Sequence, residues 1–161
     1  MNAIKLLDQQ HDEIAAMFAR CGDANTPAKL QALFEQIADA LAIHAKIEEQ
    51  IFYPIVRATR TDTILLEAVE EHLAIKRVIA DLLELAPEDE HYAPKLSVLR
   101  EQVARHVREE RGSLFPKVQK LLNKDQLEAI GQQMAALVED LRGTTPRTRV
   151  LDETKCAATL A

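Results

Sequence analysis

The chain has 161 residues with 26 acidic and 20 basic side chains, which leaves a formal net charge of −6. This length predicts one compact domain with enough chain to bury a core, and a mildly acidic surface without a basic face argues against nucleic acid as a partner. Only four glycines and 4% aromatic residues, beside abundant Ala, Leu, Glu, Gln and Lys, favour an all-α protein.

Signals for export or membrane insertion are missing from the sequence. It contains no long apolar segment, and residues 1–10 lack the hydrophobic region of a signal peptide. Two cysteines, Cys21 and Cys156, are too few for a disulfide framework. We therefore expect a cytoplasmic protein with no membrane partner.

The first helix is predicted from about Ala3 to Arg20, and its apolar stripe also carries His11. A turn rich in small and polar residues follows at positions 22–27. Within it, Thr26 is the expected N-cap, and Pro27 is the expected first residue of the second helix. Two antiparallel helices are therefore predicted at the start of the chain.

The second helix carries a histidine and a glutamate on its apolar stripe. Apolar residues recur there every three or four positions, and His44 and Glu48 occupy two of the stripe positions, so both are expected to point inward. Pro54 lacks a backbone donor and should bend or end the helix. Tyr53, which precedes this proline, is expected to leave helical geometry.

The third and fourth helices repeat this arrangement. The third carries His72 on its apolar stripe, and the fourth carries His106 and Glu110. An acidic loop at residues 87–94 is expected to separate the two helices. Pro116 should loosen the end of the fourth helix.

A fifth helix is predicted from about Lys124 to Arg142, with an apolar stripe that includes no inward polar residue. It could pack on the bundle or contact a second subunit, so both a monomer and a homodimer stay open. Residues 143–161 are expected to be a flexible tail, unless Val150 and Leu151 dock. The predicted organisation is a four-helix bundle over residues 1–122, an extra helix over 123–142 and the tail.

The two helix pairs are copies of one pattern. The interval from His11 to His44 equals the interval from His72 to His106 to within one position, and the offset between the copies is nearly the same at both histidines. In each copy the second histidine is followed four positions later by a glutamate and ten positions later by a proline. Since positions i and i+4 share a helix face, the repeat indicates two equivalent helical hairpins.

If the four helices form an up-down-up-down bundle, six polar side chains converge inside it. They are His11, His44, Glu48, His72, His106 and Glu110. Carboxylates are rarely buried without a partner, and a bound cation would offset the cost of removing this cluster from water. We therefore predict a metal site. The alternative is a hydrogen-bonded polar network without metal.

The ligand types narrow the choice of metal. Imidazole and carboxylate ligands without an inward thiolate suit iron, manganese or zinc. Structural zinc usually takes four ligands, so six candidates are too many for one such site. Two ions bridged by Glu48 and Glu110 would use all six residues. With one shared oxo or hydroxo group, about ten of roughly twelve positions around two octahedral irons would be filled, which leaves about two for an exogenous ligand.

This set of residues resembles the hemerythrin-like, or HHE cation-binding, family. The resemblance covers roughly residues 1–119 and rests on the order and spacing of the four histidines, the two glutamates and the prolines that follow them. It implies a four-helix bundle with a non-heme di-iron centre bridged by two carboxylates, with the six inward residues as ligands. It also implies a small ligand such as oxygen, peroxide or nitric oxide.

One departure from the family pattern bears on function. Hemerythrins proper have a fifth histidine one turn before the third-helix histidine, where this chain has Ala68. Its loss changes the ligand balance between two irons and argues against reversible oxygen carriage. Tyr53 is a candidate substitute, as a ligand or as a phenol that lines the site, although a core tyrosine is the favoured interpretation.

Three functions stay open at this point. The chain could be a di-iron oxidoreductase that decomposes peroxide, a module that binds or senses oxygen or nitric oxide, or an iron storage protein. The first is favoured narrowly. The remaining charged candidates are assigned to the surface: His91, Glu49 and Glu109 are expected to be solvated.

Overall fold

The computed structural model describes residues 1–160, which contain helices and connecting segments and no strand. The helices are α1 (Ala3–Cys21), α2 (Pro27–Ile47), α3 (Tyr53–Val56), α4 (Asp62–Glu84), α5 (Tyr92–Glu109), α6 (Phe115–Leu121), α7 (Lys124–Leu141) and α8 (Val150–Glu153). Two π-helical segments (Glu48–Phe52 and Glu110–Leu114) join α2 to α3 and α5 to α6, and a 3₁₀ segment (Pro146–Arg149) precedes α8. The all-α prediction is confirmed.

Local sequence signals begin the helices at the predicted positions. The Thr26 hydroxyl accepts a hydrogen bond from the Lys29 amide, with Pro27 as the first residue of α2. Asn123 caps α7 in a reciprocal pair with Gln126, in which each side chain accepts from the other residue's backbone amide. These bonds satisfy amides that no helical carbonyl can reach.

The core has two apolar clusters, and the order in which each helix passes through them gives the topology. Helix α1 starts in the cluster around Leu7 and ends in the cluster around Phe34, and α2 runs in the opposite sense. Helix α4 passes from the Leu7 cluster, at Leu65, to the Phe34 cluster, and α5 returns toward Leu114. Consecutive helices are therefore antiparallel, as the up-down-up-down prediction requires.

The prediction that Tyr53 leaves helical geometry is wrong. Its backbone is helical (φ −60°, ψ −45°), and its amide donates to the Glu48 carbonyl, five positions back. In the second copy, the Phe115 amide donates to the Glu110 carbonyl in the same way. Each π-helical turn inserts one residue before the proline, so the helix continues through Pro54 with a changed register.

The last two helices pack against the bundle. Helix α7 buries Leu127, Ile130 and Met134 in the Leu7 cluster, which is the packing role that the sequence left open. Within the predicted tail, Val150 is 1% exposed in the Phe34 cluster, which is the docking that the sequence left open for this residue. Ala161 lies outside the described residues. None of the described helices is long and apolar enough to cross a membrane.

Candidate metal centre

The six polar residues singled out by the repeat form one buried layer between the two apolar clusters. None of them is more than 4% exposed: His11, His44, Glu48, His72, His106 and Glu110. Each helix contributes at the height where it passes from one cluster to the other. The sequence prediction that the apolar stripes aim these side chains inward therefore agrees with the structure.

The layer contains two histidine pairs, and in each pair the Nε2 atoms of the two rings point toward each other. His11 Nε2 lies 3.2 Å from His44 Nε2, and His72 Nε2 lies 3.2 Å from His106 Nε2. Two imidazole nitrogens at right angles around an ion, each about 2.1 Å from it, would be about 3.0 Å apart. Each pair is therefore spaced as two ligands of a single ion.

Each glutamate reaches both histidine pairs. Glu48 places Oε1 3.4 Å from His44 Nε2 and Oε2 3.0 Å from His72 Nε2. Glu110 places Oε2 3.0 Å from His11 Nε2 and Oε1 3.3 Å from His106 Nε2. The ligand atoms form two groups, and each group joins one histidine pair to both carboxylates within 4.8 Å.

Two carboxylate oxygens in this layer test whether a cation fits. Glu48 Oε1 and Glu110 Oε2 are buried and make no hydrogen bond, although imidazole nitrogens lie nearby. A buried carboxylate oxygen without a donor is costly, and a cation between it and the neighbouring imidazoles would remove that cost. The donor set, the spacing and the unpaired oxygens all fit a metal ion.

The charged groups of the layer perturb one another strongly. Burial raises the pKa of Glu110, but His106 and His11 outweigh burial and hold it well below the usual range. Burial lowers the pKa of His44 to about 4. Burial also opposes protonation of His106, but Glu110 and Glu48 raise the pKa of that imidazole well above its usual value. The metal-free layer therefore holds compensating charges.

Tyr53 lies in the same layer and is fully buried. Its hydroxyl donates to Glu110 Oε1 at 2.7 Å and lies 3.1 Å from Glu48 Oε2 and 3.2 Å from His72 Nε2. The π-helical turn brings Tyr53 onto the face of Glu48, because five positions complete about one turn of such a helix. Tyr53 is thus a core residue whose hydroxyl lies within hydrogen-bond distance of the layer.

A second ring of polar residues holds the outer nitrogens of the histidines. His44 Nδ1 lies 2.7 Å from Gln10 Oε1, and His106 Nδ1 lies 3.0 Å from Glu71 Oε2. Sequence reasoning missed both partners, although each directly precedes the first histidine of its copy. Comparing the residues beside the repeated histidines would have found them.

The expectation that Glu49 is solvated is wrong. Its Oε2 lies 3.1 Å from His72 Nδ1, and Lys76 Nζ donates to both carboxylate oxygens at 2.9 and 3.2 Å. Burial raises the pKa of Glu49, but His72 and Lys76 lower it to about 2. By contrast, His91 and Glu109 are exposed, as the sequence predicts.

The fold and the layer together define a class: a helical bundle with a buried histidine and carboxylate centre suited to a cation. The family model of the hemerythrin HHE cation binding domain matches residues 2–118. The chain belongs to this family, as its sequence motifs indicate.

Several known proteins are similar to this chain. A protein named DNA nickase from Nostoc sp. is 28% identical over 128 residues, which cover 80% of this chain and 36% of that protein. The chain thus spans about a third of the nickase. The uncharacterised protein Rv2633c of Mycobacterium tuberculosis is 27% identical over 146 residues, 89% of each chain.

A solved structure shows the same fold. It is the crystal structure of a hemerythrin HHE cation binding domain-containing protein from Mycobacterium kansasii, a homologue of Rv2633c. The TM-score is 0.80 with 23% sequence identity, over 94% of this chain and 99% of that chain. At this identity the likeness supports the fold alone.

Proposed function

We propose that the protein is a non-heme di-iron protein whose two irons are bridged by Glu48 and Glu110, and that it decomposes peroxide. The observation that carries the proposal is that each carboxylate directs one oxygen at each histidine pair. One ion per pair then shares both carboxylates, which uses all six buried residues. Imidazole and carboxylate ligands without a thiolate suit iron.

The bound irons would store the two electrons that pass from one peroxide, oxidised to dioxygen, to a second peroxide, reduced to two waters. The chain's own contribution is to exclude bulk water and to hold a proton beside the centre. Tyr53 keeps its proton on the hydroxyl oxygen, because burial and then Glu110 and Glu48 raise its pKa well above the ordinary value. The hydroxyl is thus available as a hydrogen-bond donor within the layer.

The test is metal content combined with peroxide turnover. The native protein, made in iron-replete medium, should contain about two irons per chain and consume peroxide at a rate proportional to its iron. The His44→Ala, Glu48→Ala variant should lose most of both, because one ligand of the first pair and one bridge are removed. The His91→Ala variant is the matched control, since that imidazole is exposed.

Native protein that holds one zinc, or no metal, would overturn the di-iron proposal. Two irons without peroxide consumption would overturn only the catalytic part. These outcomes distinguish a failure of the di-iron proposal from a failure of the proposed reaction.

A second candidate function is the binding of oxygen or nitric oxide without turnover. A cavity of about 20 Å³ adjoins all four imidazoles, and its other walls are mainly apolar, including Ile14, Ile75 and Val150. This volume holds roughly one water-sized molecule. A small uncharged ligand fits it better than a charged one, and a stable nitrosyl or oxy spectrum without turnover would favour this function.

We propose a cytoplasmic setting and a monomeric state. Both cysteines, Cys21 and Cys156, are free, which suits a reducing compartment. The apolar face of α7, which could have served a dimer, is buried in the bundle. Light scattering of the purified protein would test the oligomeric state.

A further inference from the structure

The two histidine pairs differ in what holds their outer nitrogens. In the second pair both partners are carboxylates: His72 Nδ1 lies 3.1 Å from Glu49 Oε2, and His106 Nδ1 lies 3.0 Å from Glu71 Oε2. A carboxylate that accepts from a ligating imidazole fixes the ring and strengthens it as a donor to the metal. The second pair is thus supported by two anionic groups.

The first pair has no carboxylate partner. His44 Nδ1 lies 2.7 Å from the neutral amide oxygen of Gln10. His11 Nδ1 is buried and makes no hydrogen bond. The carboxylate of Asp8 stands 4.0 Å from it and is instead bonded to the Arg111 guanidinium. The first pair is therefore supported by one neutral group only.

The repeat shows that this difference arises from side-chain identity at equivalent positions. Gln10 and Glu71 each directly precede the first histidine of their copy, so an anion in the second copy replaces a neutral amide in the first. Glu49 and Arg111 each directly follow the inward glutamate of their copy, so a cation in the second copy replaces an anion in the first. Both exchanges leave the first histidine pair without anionic support.

The aromatic residues after the two inward glutamates also differ between the copies. Tyr53 and Phe115 are equivalent, because each directly precedes the proline of its copy. Tyr53 stacks on His72 with ring centroids 5.5 Å apart, and Phe115 stacks on His11 at 5.9 Å. The second pair therefore meets a phenol where the first meets a phenyl ring.

We propose that the two metal positions are unequal, and that the position at His72 and His106 fills first and binds more tightly. Anionic support strengthens the binding of a cation, and the second pair has two such supports where the first has none. Lys76 offsets part of the Glu49 charge, but Glu71 supplies the other support. The position at His11 and His44 fills second and loses its ion first. This inference rests on the proposed function, since it presupposes two metal ions.

The experiment is a cobalt(II) titration of the metal-free protein, in which calorimetry and visible absorption measure the binding of each ion. The native protein should bind two ions in two steps whose dissociation constants differ by about tenfold or more. At one equivalent of cobalt, a His106→Gln variant should lose the tight step and a His44→Gln variant should keep it.

Two isosteric exchanges test whether the residues at the outer nitrogens cause the difference in affinity. Glu71→Gln should weaken the tight step by about tenfold, and Gln10→Glu should tighten the weak step by a similar factor. The double variant Gln10→Glu, Glu71→Gln should bring the two constants together or reverse their order. Circular dichroism confirms that each variant folds, and the exchanges keep side-chain volume.

The outcomes distinguish the inference from the function it rests on. Fewer than two cobalt ions per native chain would overturn the two-metal centre itself. Two ions bound with equal affinity, or two steps that the exchanges at Gln10 and Glu71 leave unchanged, would overturn only the inequality.

Discussion

A single hydroxyl group joins the two carboxylates of the candidate centre. Tyr53 donates at 2.7 Å to Glu110 and lies 3.1 Å from Glu48, while the equivalent Phe115 shows that this fold accepts a phenyl ring in such a position. The Tyr53→Phe variant should therefore fold, but the metal-free protein should lose about 1–3 kcal/mol of stability, because carboxylate oxygens lose a buried donor. Urea unfolding measures this loss.

The second tyrosine of the chain provides a matched control. The Tyr92 hydroxyl is buried and makes no hydrogen bond among the described residues. Replacing it with hydrogen removes a desolvated polar group and no bond, so Tyr92→Phe should be neutral or slightly stabilising. Equal losses in the two variants would contradict the role assigned to the Tyr53 hydroxyl.

Both tyrosines should also resist ionisation in the folded, metal-free protein. Burial, followed by Glu110 and Glu48, raises the pKa of Tyr53 well above 10, and burial with the Glu35 charge raises that of Tyr92 to about 12. Because burial penalises the phenolate, a spectrophotometric titration should show little phenolate up to pH 10, and the Tyr53→Phe variant should leave only Tyr92 to titrate. Half-ionisation of either residue near pH 10 in folded protein would contradict this.

The site residues illustrate what the sequence could predict. Helical spacing placed six side chains on apolar stripes, and the repeat made their convergence predictable. Glu49 could not be placed in this way, because it lies one position off the stripe and reaches His72 only through the packing of α4 against the π-helical segment. Gln10 and Glu71 could have been found, since the repeat aligns them.

At the scale of the helices, the π-helical turns show that a proline alone does not determine the local helix geometry. Pro54 and Pro116 lack a backbone donor, and this is compatible with a helix end, a bend or a change of register. The structure contains the third outcome, which keeps Tyr53 buried beside Glu48. Tertiary packing selects among the three, so sequence rules that score the proline locally predict the wrong one.

At Gly131, α7 packs closely against the backbone at the start of the chain. A Cβ at Gly131 would overlap the Met1 carbonyl oxygen and lie 2.8 Å from the Ala3 amide nitrogen. Gly131→Ala should therefore destabilise the protein by about 1–3 kcal/mol, although alanine favours a helix by about 1 kcal/mol. Thermal or urea unfolding checks the sign.

Gly112 is the matched control for this substitution. It also lies in a helical segment, but a Cβ there would meet nothing within 4 Å. Gly112→Ala should be neutral or stabilising by up to about 1 kcal/mol. If both alanine variants gained stability, the close approach of α7 to the chain start would be refuted.

At the scale of the whole molecule, the C-terminal segment closes one side of the bundle over the centre. Val150 forms part of the wall of the cavity beside the imidazoles. Glu153 pairs with Lys46 at 3.2 Å and with Lys76 at 3.1 Å, and Lys76 also bonds Glu49. The sequence predicted a tail here, in which Val150 and Leu151 could dock. The long-range ion pairs that fix it were not visible in the sequence.

Adjacent apolar residues in this segment allow a controlled test of its role. Val150 is 1% exposed and Leu151 is 41% exposed, so Val150→Ser should cost about 1–3 kcal/mol of stability, while Leu151→Ser should stay within about 0.5 kcal/mol. Since Val150 walls the cavity, its replacement should also let a chelator remove bound metal several-fold faster. Urea unfolding and chelator kinetics measure the two effects. Equal removal rates in the two variants would show that the segment stabilises the fold without shielding the centre.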